Sequence, residues 1–578
     1  MLLTTTITAL VVRILIAVST RTVFQPDEYF QSLEPAHRLV FGYGHLTWEW
    51  LSPHPIRSII YPALNVPVYW VLKATGIHNW GRLGDELVIL GPRILHGALA
   101  AMTDIGLCIL TKRTLGDRYV STAFFLSITS FFHGLSLSRS LSNSLETSLT
   151  TIALSYFPWD VSALDHARTR NRIRKMLVFA SLACVIRITN GVIWVYVAAV
   201  IAWRLRSRIQ LLVGFFLDSF IIGFLALVPI FVLDTLYYGQ ITFTPYNFLK
   251  TNLSSVSLFY GSNPWHFYFS QAIPILCTTA IPFVLHGGWL VAKSSNAGTS
   301  KILLGLLGWT MSIYSLAGHK EWRFIHPLLP ILHMLAAKSL VDSSPKDTHH
   351  TLPITRQKLV LLLASVPIST YIVLLYCSGP ISVMGYIRSL PTDELAGGIG
   401  LLMPCHSTPG HAYLHRPQLA HGELWALGCE PPLQNQNIST YQDQTTIFFA
   451  NPYRYLTERF PSEVDPSFPI SPYPASVPGR SSDDRLWRYE WPLHLVFFGS
   501  LLEQGGIQEL LETKGYREVW RAGRSWEAII ALPLGIYNSS TIPYIYLLYK
   551  VEFGALDVCA SANADSVKAD KGIDFDEF

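Results

Sequence analysis

The sequence predicts a multipass α-helical membrane domain followed by a smaller soluble domain of α/β or α+β type. Half of the 578 residues are hydrophobic and only 14% are charged, whereas an average soluble protein has about 25% charged residues. The charge also divides along the chain: residues 1–379 carry a formal +13 and residues 380–578 carry −9. The long apolar stretches all lie in the first part. A membrane part, 1–379, and a soluble part therefore meet near Gly379.

The first part contains ten apolar stretches, most of them near the 20 or so residues that a membrane-spanning helix needs. They lie at about 2–20, 87–111, 119–137, 144–157, 176–203, 209–236, 267–292, 302–318, 324–341 and 358–379. The first lacks a basic start and a small-residue cleavage site, which favours a retained span over a signal peptide. Basic residues between spans are typical of cytosolic loops, so they do not indicate a nucleic-acid partner.

Threading the spans from a cytosolic N-terminus places most basic loops on the cytosolic face, as the positive-inside rule requires. The segments that then face the lumen are 20–85, 239–266, 318–323 and 380–578. The stretch 176–203 is the exception, because it carries Arg187 at its middle and would put the basic residues of 204–208 in the lumen. Both anomalies disappear if it is a hairpin of two helices that turns near 189–191 inside the protein.

Residues 380–558 are expected to form the soluble luminal domain, since they contain no apolar run long enough to span a membrane. Short β-rich stretches separated by Pro and Gly, such as 493–498 and 544–549, predict its mixed fold. The last residues, 559–578, are small and acidic, which is typical of a disordered tail.

A luminal location has two further consequences. Cys405 and Cys429 could form a disulfide if their domain lies in the oxidising lumen. Three N-glycosylation sequons, at Asn252, Asn437 and Asn538, fall on the luminal side, although such sequons also arise by chance.

The first luminal segment places two adjacent carboxylates, Asp27 and Glu28, a few residues after a membrane span. Acidic residues favour a helix N-terminus, so the simplest interpretation is a helix that begins after Pro26. The alternative is a catalytic carboxylate. Further along, the string 42–50 packs His45, Trp48 and Glu49 beside two glycines, and its aromatic residues could anchor the chain at the membrane interface or bind a sugar.

The most informative string is His319-Lys-Glu-Trp-Arg-Phe324, a short turn between two apolar spans. Lys320 and Arg323 oppose the positive-inside trend on the luminal side. They could be snorkelling side chains, or they could hold a phosphate together with His319. Carboxylates near one span and cations near another fit a reaction in which a lipid-linked phosphate is the leaving group.

These strings together resemble the endoplasmic reticulum mannosyltransferases that use dolichol-phosphate-mannose and share an HKExRF motif. The residues that carry the resemblance are 26–34, 44–50, 319–324, 402–409 and the string Arg57-Ser-Ile-Ile-Tyr-Pro62. It covers the chain from about Thr22 to Tyr549. The resemblance implies a GT-C type fold with a catalytic acidic residue in the first luminal loop, and a location in the endoplasmic reticulum membrane.

Within that family, the longer strings favour the member that adds the third, α1,2-linked mannose of the GPI anchor. The implied partners are dolichol-phosphate-mannose, a mannosylated glucosaminyl-phosphatidylinositol acceptor and membrane lipid, with no cofactor and no metal. Asp27 is then the expected general base and Glu28 its orienting partner or substitute. The resemblance makes His319, Lys320 and Arg323 contacts of the donor phosphate. The residues expected to support the acceptor or the cavity are His45, Trp48, Glu49 and Arg57.

Other functions remain open at this point. A sister enzyme of N-glycan precursor assembly, or of the fourth GPI mannose, shares the HKExRF turn. A multipass transporter could use Arg187 in its path, but the sequence shows no internal repeat of the kind that transporters have. A purely structural role leaves the luminal charges unexplained.

Overall fold

Helices dominate the membrane part of the computed structural model, which describes residues 2–159, 166–295, 298–344, 352–433, 437, 440–459, 491–522, 544–547 and 550–552. The helices of this part are α1 (Leu2–Ser19), α2 (Glu34–Phe41), α3 (Trp48–Leu51), α4 (Ile60–Ala63), α5 (Val66–Ala74), α6 (Gly81–Thr114), α7 (Val120–Ile128), α8 (Ser142–Tyr156), α9 (His166–Ile186), α10 (Gly191–Leu205), α11 (Ile209–Tyr238), α12 (Thr244–Leu253), α13 (Ile273–Cys277), α14 (Ile281–Lys293), α15 (Gly298–Ser315), α16 (Leu329–Asp342), α17 (Arg356–Leu363) and α18 (Ser365–Leu374).

Six helical segments in the described residues are long and apolar enough to cross a membrane. They are Gly81–Thr114, Ile188–Leu205, Ile209–Tyr238, Tyr268–Lys293, Trp322–Asp342 and Arg356–Ser389, and the shorter Leu3–Ser19 is also apolar. The segments differ in burial: 89% of the most apolar window of Trp322–Asp342 is buried, against 22% for Ile209–Tyr238. The prediction of a multipass helical membrane protein is confirmed, and the predicted cationic turn leads into the most enclosed of these helices.

Two predicted apolar stretches form shorter elements. Residues 119–137 divide into α7 and a π-helical turn at His133–Leu137, and 144–157 forms the 15-residue α8. The α8 helix is rich in buried Ser and Thr, and it packs between α6 and α9. A helix enclosed by protein does not need the apolar surface of a lipid-facing span.

The chain breaks between α9 and α10, where the sequence predicts a break. Arg187 is extended and is followed by a single 3₁₀ turn, Ile188–Asn190. The side chain of Asn190 donates hydrogen bonds to Glu146 Oε1 (2.9 Å) and Thr150 Oγ1 (3.0 Å) of α8. The side chain of Asn190 at the break is thus satisfied inside the protein, where a broken membrane helix is tolerated.

The first connecting segment begins its helix at Asp27, directly after Pro26, and passes through a π-helical turn (Tyr29–Leu33) into α2. Gly42 ends α2 in the left-handed conformation (φ 93°), where glycine is favoured. Gly44 then approaches α2 so closely that a Cβ atom would lie 2.7 Å from the carbonyl oxygen of Glu34. The two glycines therefore allow the chain to fold back over α2 toward α3.

The C-terminal region has a small mixed sheet. Its helices are α19 (Gly379–Ser389), α20 (Thr392–Leu395), α21 (His411–Leu414), α22 (Gln444–Ala450), α23 (Pro452–Arg459) and α24 (Ile507–Thr513). Its strands are β1 (Ile399–Leu402), β2 (Leu424–Ala426), β3 (His494–Phe498), β4 (Trp520–Arg521), β5 (Tyr544–Leu547) and β6 (Lys550–Glu552). The strand order is β2-β1-β3-β5-β4, with β6 beside β5. The β1 strand pairs in parallel with β2 and β3, and the other pairs are antiparallel.

Strands β1 and β3 are buried along their whole length, as expected for parallel strands covered on both faces. The predicted strands at 493–498 and 544–549 correspond to β3 and β5, and the predicted tail at 559–578 lies outside the described residues.

Three carboxylates connect this C-terminal region to the membrane part. Glu34 accepts a hydrogen bond from the backbone N–H of Ala412 (2.7 Å). Asp85 is paired with Arg416 through both of its oxygens, each at 2.8 Å, and Glu86 is paired with Arg388 at 2.5 Å. The region is therefore held against α2 and the first turns of α6.

Candidate active site

A cavity of about 460 Å³ lies where the first connecting segment, the chain between α12 and α13, and the turn before α16 meet. Seven of the residues singled out from the sequence for the site line it. They are Asp27, Trp48, Glu49, Arg57, His319, Lys320 and Arg323. The fold thus brings together side chains that are almost 300 positions apart in the sequence.

Arg323 connects two of these segments. Its Nη1 donates to Asp27 Oδ2 at 2.5 Å, while Nε and Nη2 donate to the two oxygens of Glu321 at 2.6 and 2.8 Å. A bidentate guanidinium–carboxylate pair fixes both orientation and distance. Glu321 was not singled out from the sequence, although it stands inside the motif. It holds Arg323 in place, and Arg323 in turn holds Asp27 at the cavity wall.

Glu321 also contacts His319, whose Nε2 lies 3.3 Å from Glu321 Oε1 and whose Nδ1 lies 3.1 Å from the carbonyl oxygen of Gly261. Burial by itself would lower the pKa of His319, but the hydrogen bond and charge of Glu321 outweigh it, so the pKa is raised. Burial likewise opposes ionisation of Glu321, yet Arg323 and His319 hold its pKa well below the usual range. The turn therefore favours a charged imidazolium beside the cavity.

Lys320 is only 3% exposed, and its ammonium group donates to the carbonyl oxygen of Asn263 at 2.6 Å. The Asn263 amide returns a hydrogen bond of 2.8 Å to the Lys320 carbonyl oxygen. Burial lowers the pKa of Lys320. The ammonium group has three N–H donors, so it can bind an anion in the cavity while it keeps these backbone contacts.

Glu28 points away from the cavity. Its side chain is buried, and Oε2 accepts a hydrogen bond of 3.0 Å from Arg139. Arg139 also donates to Thr22 through its carbonyl oxygen (2.6 Å) and its hydroxyl (2.8 Å). Adjacent residues of a helix project about 100° apart. Asp27 therefore faces the cavity, while Glu28 fixes the segment to Arg139, which lies between the π-helical turn at His133–Leu137 and α8.

Glu49 and Arg57 form an ion pair on the cavity wall, with Glu49 Oε1 at 3.0 Å from Arg57 Nε and 2.5 Å from Nη2. His45 lies behind the wall: its backbone N–H donates to Glu34 (2.7 Å), and its ring packs against Phe30 and His406, which line the cavity. Burial lowers the pKa of His45 to about 3, so its ring is neutral.

Cys405 and Cys429 form a disulfide with Cα atoms 5.8 Å apart. Cys429 lines the cavity beside His406. Both sulfur atoms are used in the disulfide, so this cysteine–histidine group offers no thiolate to a metal ion. Among the sequons, Asn252 lies on the cavity wall, Asn437 is exposed, and Asn538 is outside the described residues.

Sequence reasoning missed the part that Arg187 plays in this cavity. Arg187 lines the cavity from the break between α9 and α10, and its guanidinium lies over the ring of Phe324, 5.4 Å from the ring centre. An arginine in the middle of an apolar stretch was the available signal, since charges inside membrane segments mark functional sites more often than not.

The fold is that of a known class of membrane enzymes. ArnT from Cupriavidus metallidurans, solved with undecaprenyl phosphate bound, aligns with a TM-score of 0.50 over 78% of this chain and 88% of that chain, at 13% identity. The apo structure of ArnT gives the same TM-score at 15% identity. This likeness shows the fold alone, and that fold is a GT-C type membrane glycosyltransferase with a small C-terminal sheet.

Sequence comparison narrows the class to a family. The model of the Alg9-like mannosyltransferase family matches residues 4–415. The mouse "GPI alpha-1,2-mannosyltransferase 3" is 34% identical over 459 residues, 78% of each chain, and the human protein of that name is 32% identical over 86% of this chain and 84% of its own. "GPI mannosyltransferase 3" of Drosophila melanogaster is 35% identical over 78% of this chain and 76% of its own. This chain belongs to the Alg9-like mannosyltransferase family.

Proposed function

We propose that this protein transfers the third, α1,2-linked mannose from dolichol-phosphate-mannose to the dimannosyl GPI precursor, in the lumen of the endoplasmic reticulum. The names of the mouse, human and fly relatives support the linkage and the GPI pathway. The observation that carries the proposal is the contact of Asp27 with Arg323 on one cavity wall. An inverting displacement needs a base at the acceptor hydroxyl and cations at the departing phosphate, and both kinds of group line this cavity.

Asp27 acts as the general base in this mechanism. It takes the proton of the acceptor 2-hydroxyl as that oxygen attacks C1 of the mannose. The bond between C1 and the phosphate oxygen breaks, and its electron pair leaves with dolichol phosphate. One displacement at C1 converts the β-linked donor into an α-linked product. A phosphate group leaves without prior protonation, so a second catalytic carboxylate is not required, in contrast to a glycosidase.

The cationic turn stabilises the departing phosphate. The imidazolium of His319 supplies charge, and Lys320 supplies charge and an N–H donor, at the cavity wall, where solvent is restricted and such contacts are strong. Arg323 contributes charge and also orients Asp27, because its guanidinium connects Asp27 to Glu321. The reaction as written needs no cofactor and no metal ion.

The remaining residues support the cavity and its acceptor side. Glu28 is a positioning residue that acts through Arg139, while Trp48 and the Glu49–Arg57 pair form the wall on which the acceptor sugar rests. The cavity and the C-terminal region face the lumen, where Asn437 is exposed to glycosylation. We do not extend this to Asn252, because a glycan at the cavity wall would obstruct the acceptor.

Two measurements test this function. Cells depleted of the protein are expected to accumulate a GPI intermediate with two mannoses. The purified full-length protein is expected to transfer radiolabelled mannose from dolichol-phosphate-mannose to a dimannosyl acceptor, and an α1,2-specific mannosidase should release the label. A three-mannose intermediate, or transfer to an N-glycan precursor instead, would assign the protein to a sister reaction of the family.

A further inference from the structure

A second, smaller cavity of about 70 Å³ adjoins the catalytic cavity. Five residues line both cavities and form the wall between the two, namely Gln31, Ile56, Arg57, Arg187 and Phe248. Two guanidinium groups therefore stand at the connection. The proposed mechanism uses Arg57 only as part of the wall, and it does not use Arg187.

Arg187 is held rigidly but its hydrogen bonds are incomplete. Its side chain is 10% exposed, Nη1 donates to Ser142 Oγ at 3.1 Å, and its guanidinium lies over the Phe324 ring. Nε lies 3.3 Å from Glu146 Oε2 without the geometry of a hydrogen bond, and it is buried without an acceptor among the described residues. A buried N–H without an acceptor is unfavourable, and the positive charge of Arg187 borders both cavities, so the site is suited to an anion.

The surroundings of the two arginines indicate which anions fit. The small cavity is bordered by apolar side chains of α9, of the turn before α10, and of α11, namely Val185, Ile186, Ile188 and Ile230. Only 22% of the most apolar window of α11 is buried, so most of this helix lies on the outside of the protein. The N-terminal end of α10 also faces this cavity through Thr189, and its dipole favours negative charge. A phosphate joined to a hydrocarbon chain matches both features.

Arg323 is less available for such a group, because three of its N–H donors already go to Asp27 and Glu321. We propose that Arg57 and Arg187 form a second anion site, which binds the phosphate ester of a lipid-linked substrate where its hydrocarbon chain enters from the membrane. This inference rests on the proposed function, since a mannosyltransferase with a lipid-linked donor and a lipid-linked acceptor brings two phosphate esters to one cavity.

The test measures binding to the full-length protein in detergent by thermal stabilisation, since a ligand that binds the folded state raises its unfolding temperature. The probes are farnesyl phosphate for the donor lipid and dioctanoyl phosphatidylinositol for the acceptor lipid, each compared with farnesol or dioctanoylglycerol, which lack the phosphate. At least one phosphate ester is expected to stabilise the wild type more than its alcohol does. If neither does so, the proposal is wrong.

The main variant is the double substitution Glu146→Gln with Arg187→Gln. It removes both members of the ion pair, because removal of Arg187 alone would leave a buried carboxylate unpaired. Affinity for the phosphate ester is expected to fall at least tenfold, while the exposed Arg454→Gln control keeps it. Loss of farnesyl phosphate binding assigns the site to the donor, and loss of phosphatidylinositol binding assigns it to the acceptor.

A folded double variant that binds both probes as the wild type does would overturn the proposal. If that variant does not fold, the pair Glu49→Gln with Arg57→Gln is tested by the same criteria. Mannose transfer by the wild type is measured separately. If the wild type transfers no mannose but its binding of the phosphate ester depends on Arg187, the proposed function is refuted and the anion site stands. If transfer is normal and the variants bind as the wild type does, the anion site alone is refuted.

Discussion

Two charged clusters inside the helical part have similar composition and different surroundings. At the cavity, Arg323 pairs with Asp27 and Glu321, and these side chains remain between 10% and 23% exposed. Within the bundle, Arg13 of α1 pairs with Asp104 of α6 at 2.7 and 2.9 Å, and both side chains are fully buried. Ser127 adds a hydrogen bond of 2.6 Å to Asp104, and its carbonyl oxygen accepts one of 2.9 Å from Arg13.

The two clusters differ in whether a substrate in the cavity could reach them. Arg13 and Asp104 are enclosed by protein and bind each other, so they fasten α1 to α6 and have no surface to offer a substrate. Asp27 keeps one side on the cavity. An intramembrane charge is taken as a sign of function by default, but only one of these two clusters lines the cavity, and only that cluster is a candidate for catalysis.

Substitution of Asp27 is expected to have the largest effect. Asp27→Asn keeps the size of the side chain and removes the base, so mannose transfer should fall by about 100- to 10,000-fold. The thermal unfolding temperature should change little. Transfer of radiolabelled mannose by equal amounts of folded protein measures the effect, with the exposed Asp117→Asn as the matched control. Unchanged transfer in Asp27→Asn would remove Asp27 from the mechanism.

The enclosed cluster should respond in the opposite way. Arg13→Met leaves Asp104 buried and unpaired, which typically costs about 3–5 kcal/mol of stability. Thermal unfolding in detergent should therefore occur at a clearly lower temperature, while the transfer rate per folded molecule is kept. The double variant Arg13→Met with Asp104→Leu should recover most of the loss. A stable Arg13→Met protein without transfer would show that this cluster has a catalytic role after all.

Glu321 provides a smaller and more specific test. Because Glu321 raises the pKa of His319, the imidazolium persists to higher pH in the wild type. In Glu321→Gln the pKa of His319 is no longer raised by the carboxylate, so the decline of kcat/KM at alkaline pH should begin at lower pH. The rate of transfer should also fall by about tenfold. A pH profile of transfer measures the shift. An alkaline limb at the same position in both proteins would separate His319 from the reaction.

The smallest expected effect is at the junction with the C-terminal region. Burial raises the pKa of Glu34 to about 7 from 4.5, in spite of hydrogen bonds from His45 and Ala412. Between these values the folded state binds more protons than the unfolded state, so stability should fall as pH rises through this window. Unfolding temperatures at pH 5 and pH 8 should differ less in Glu34→Gln than in the wild type or in the exposed Glu458→Gln control. Equal pH dependence in all three would contradict the assignment.

The sequence predicted the membrane fold and seven of the residues that line the cavity, because apolar length and short motifs are local features. The break between α9 and α10 was predictable, because Arg187 places a charge in the middle of an apolar stretch. Which of Asp27 and Glu28 faces the cavity was not predictable, since it depends on Arg139, a residue 111 positions away that captures Glu28. The anchoring of Glu34 to Ala412 depends on a tertiary contact of the same kind, across 378 positions.

The number of residues in the π-helical turn at Tyr29–Leu33 affects which of Asp27 and Glu28 faces the cavity. Such a turn contains one residue more than an α-helical turn, and it separates the two adjacent carboxylates from α2. If the same residues formed a regular α-helix, the residues before the turn would be rotated by about 100° relative to α2. Glu28 would then lie at the position that Asp27 has in this structure. The acid that faces the cavity is therefore determined by a count of residues as much as by its chemistry, and deletion of one residue that converts this turn to α-helix is expected to leave Asp27 in place.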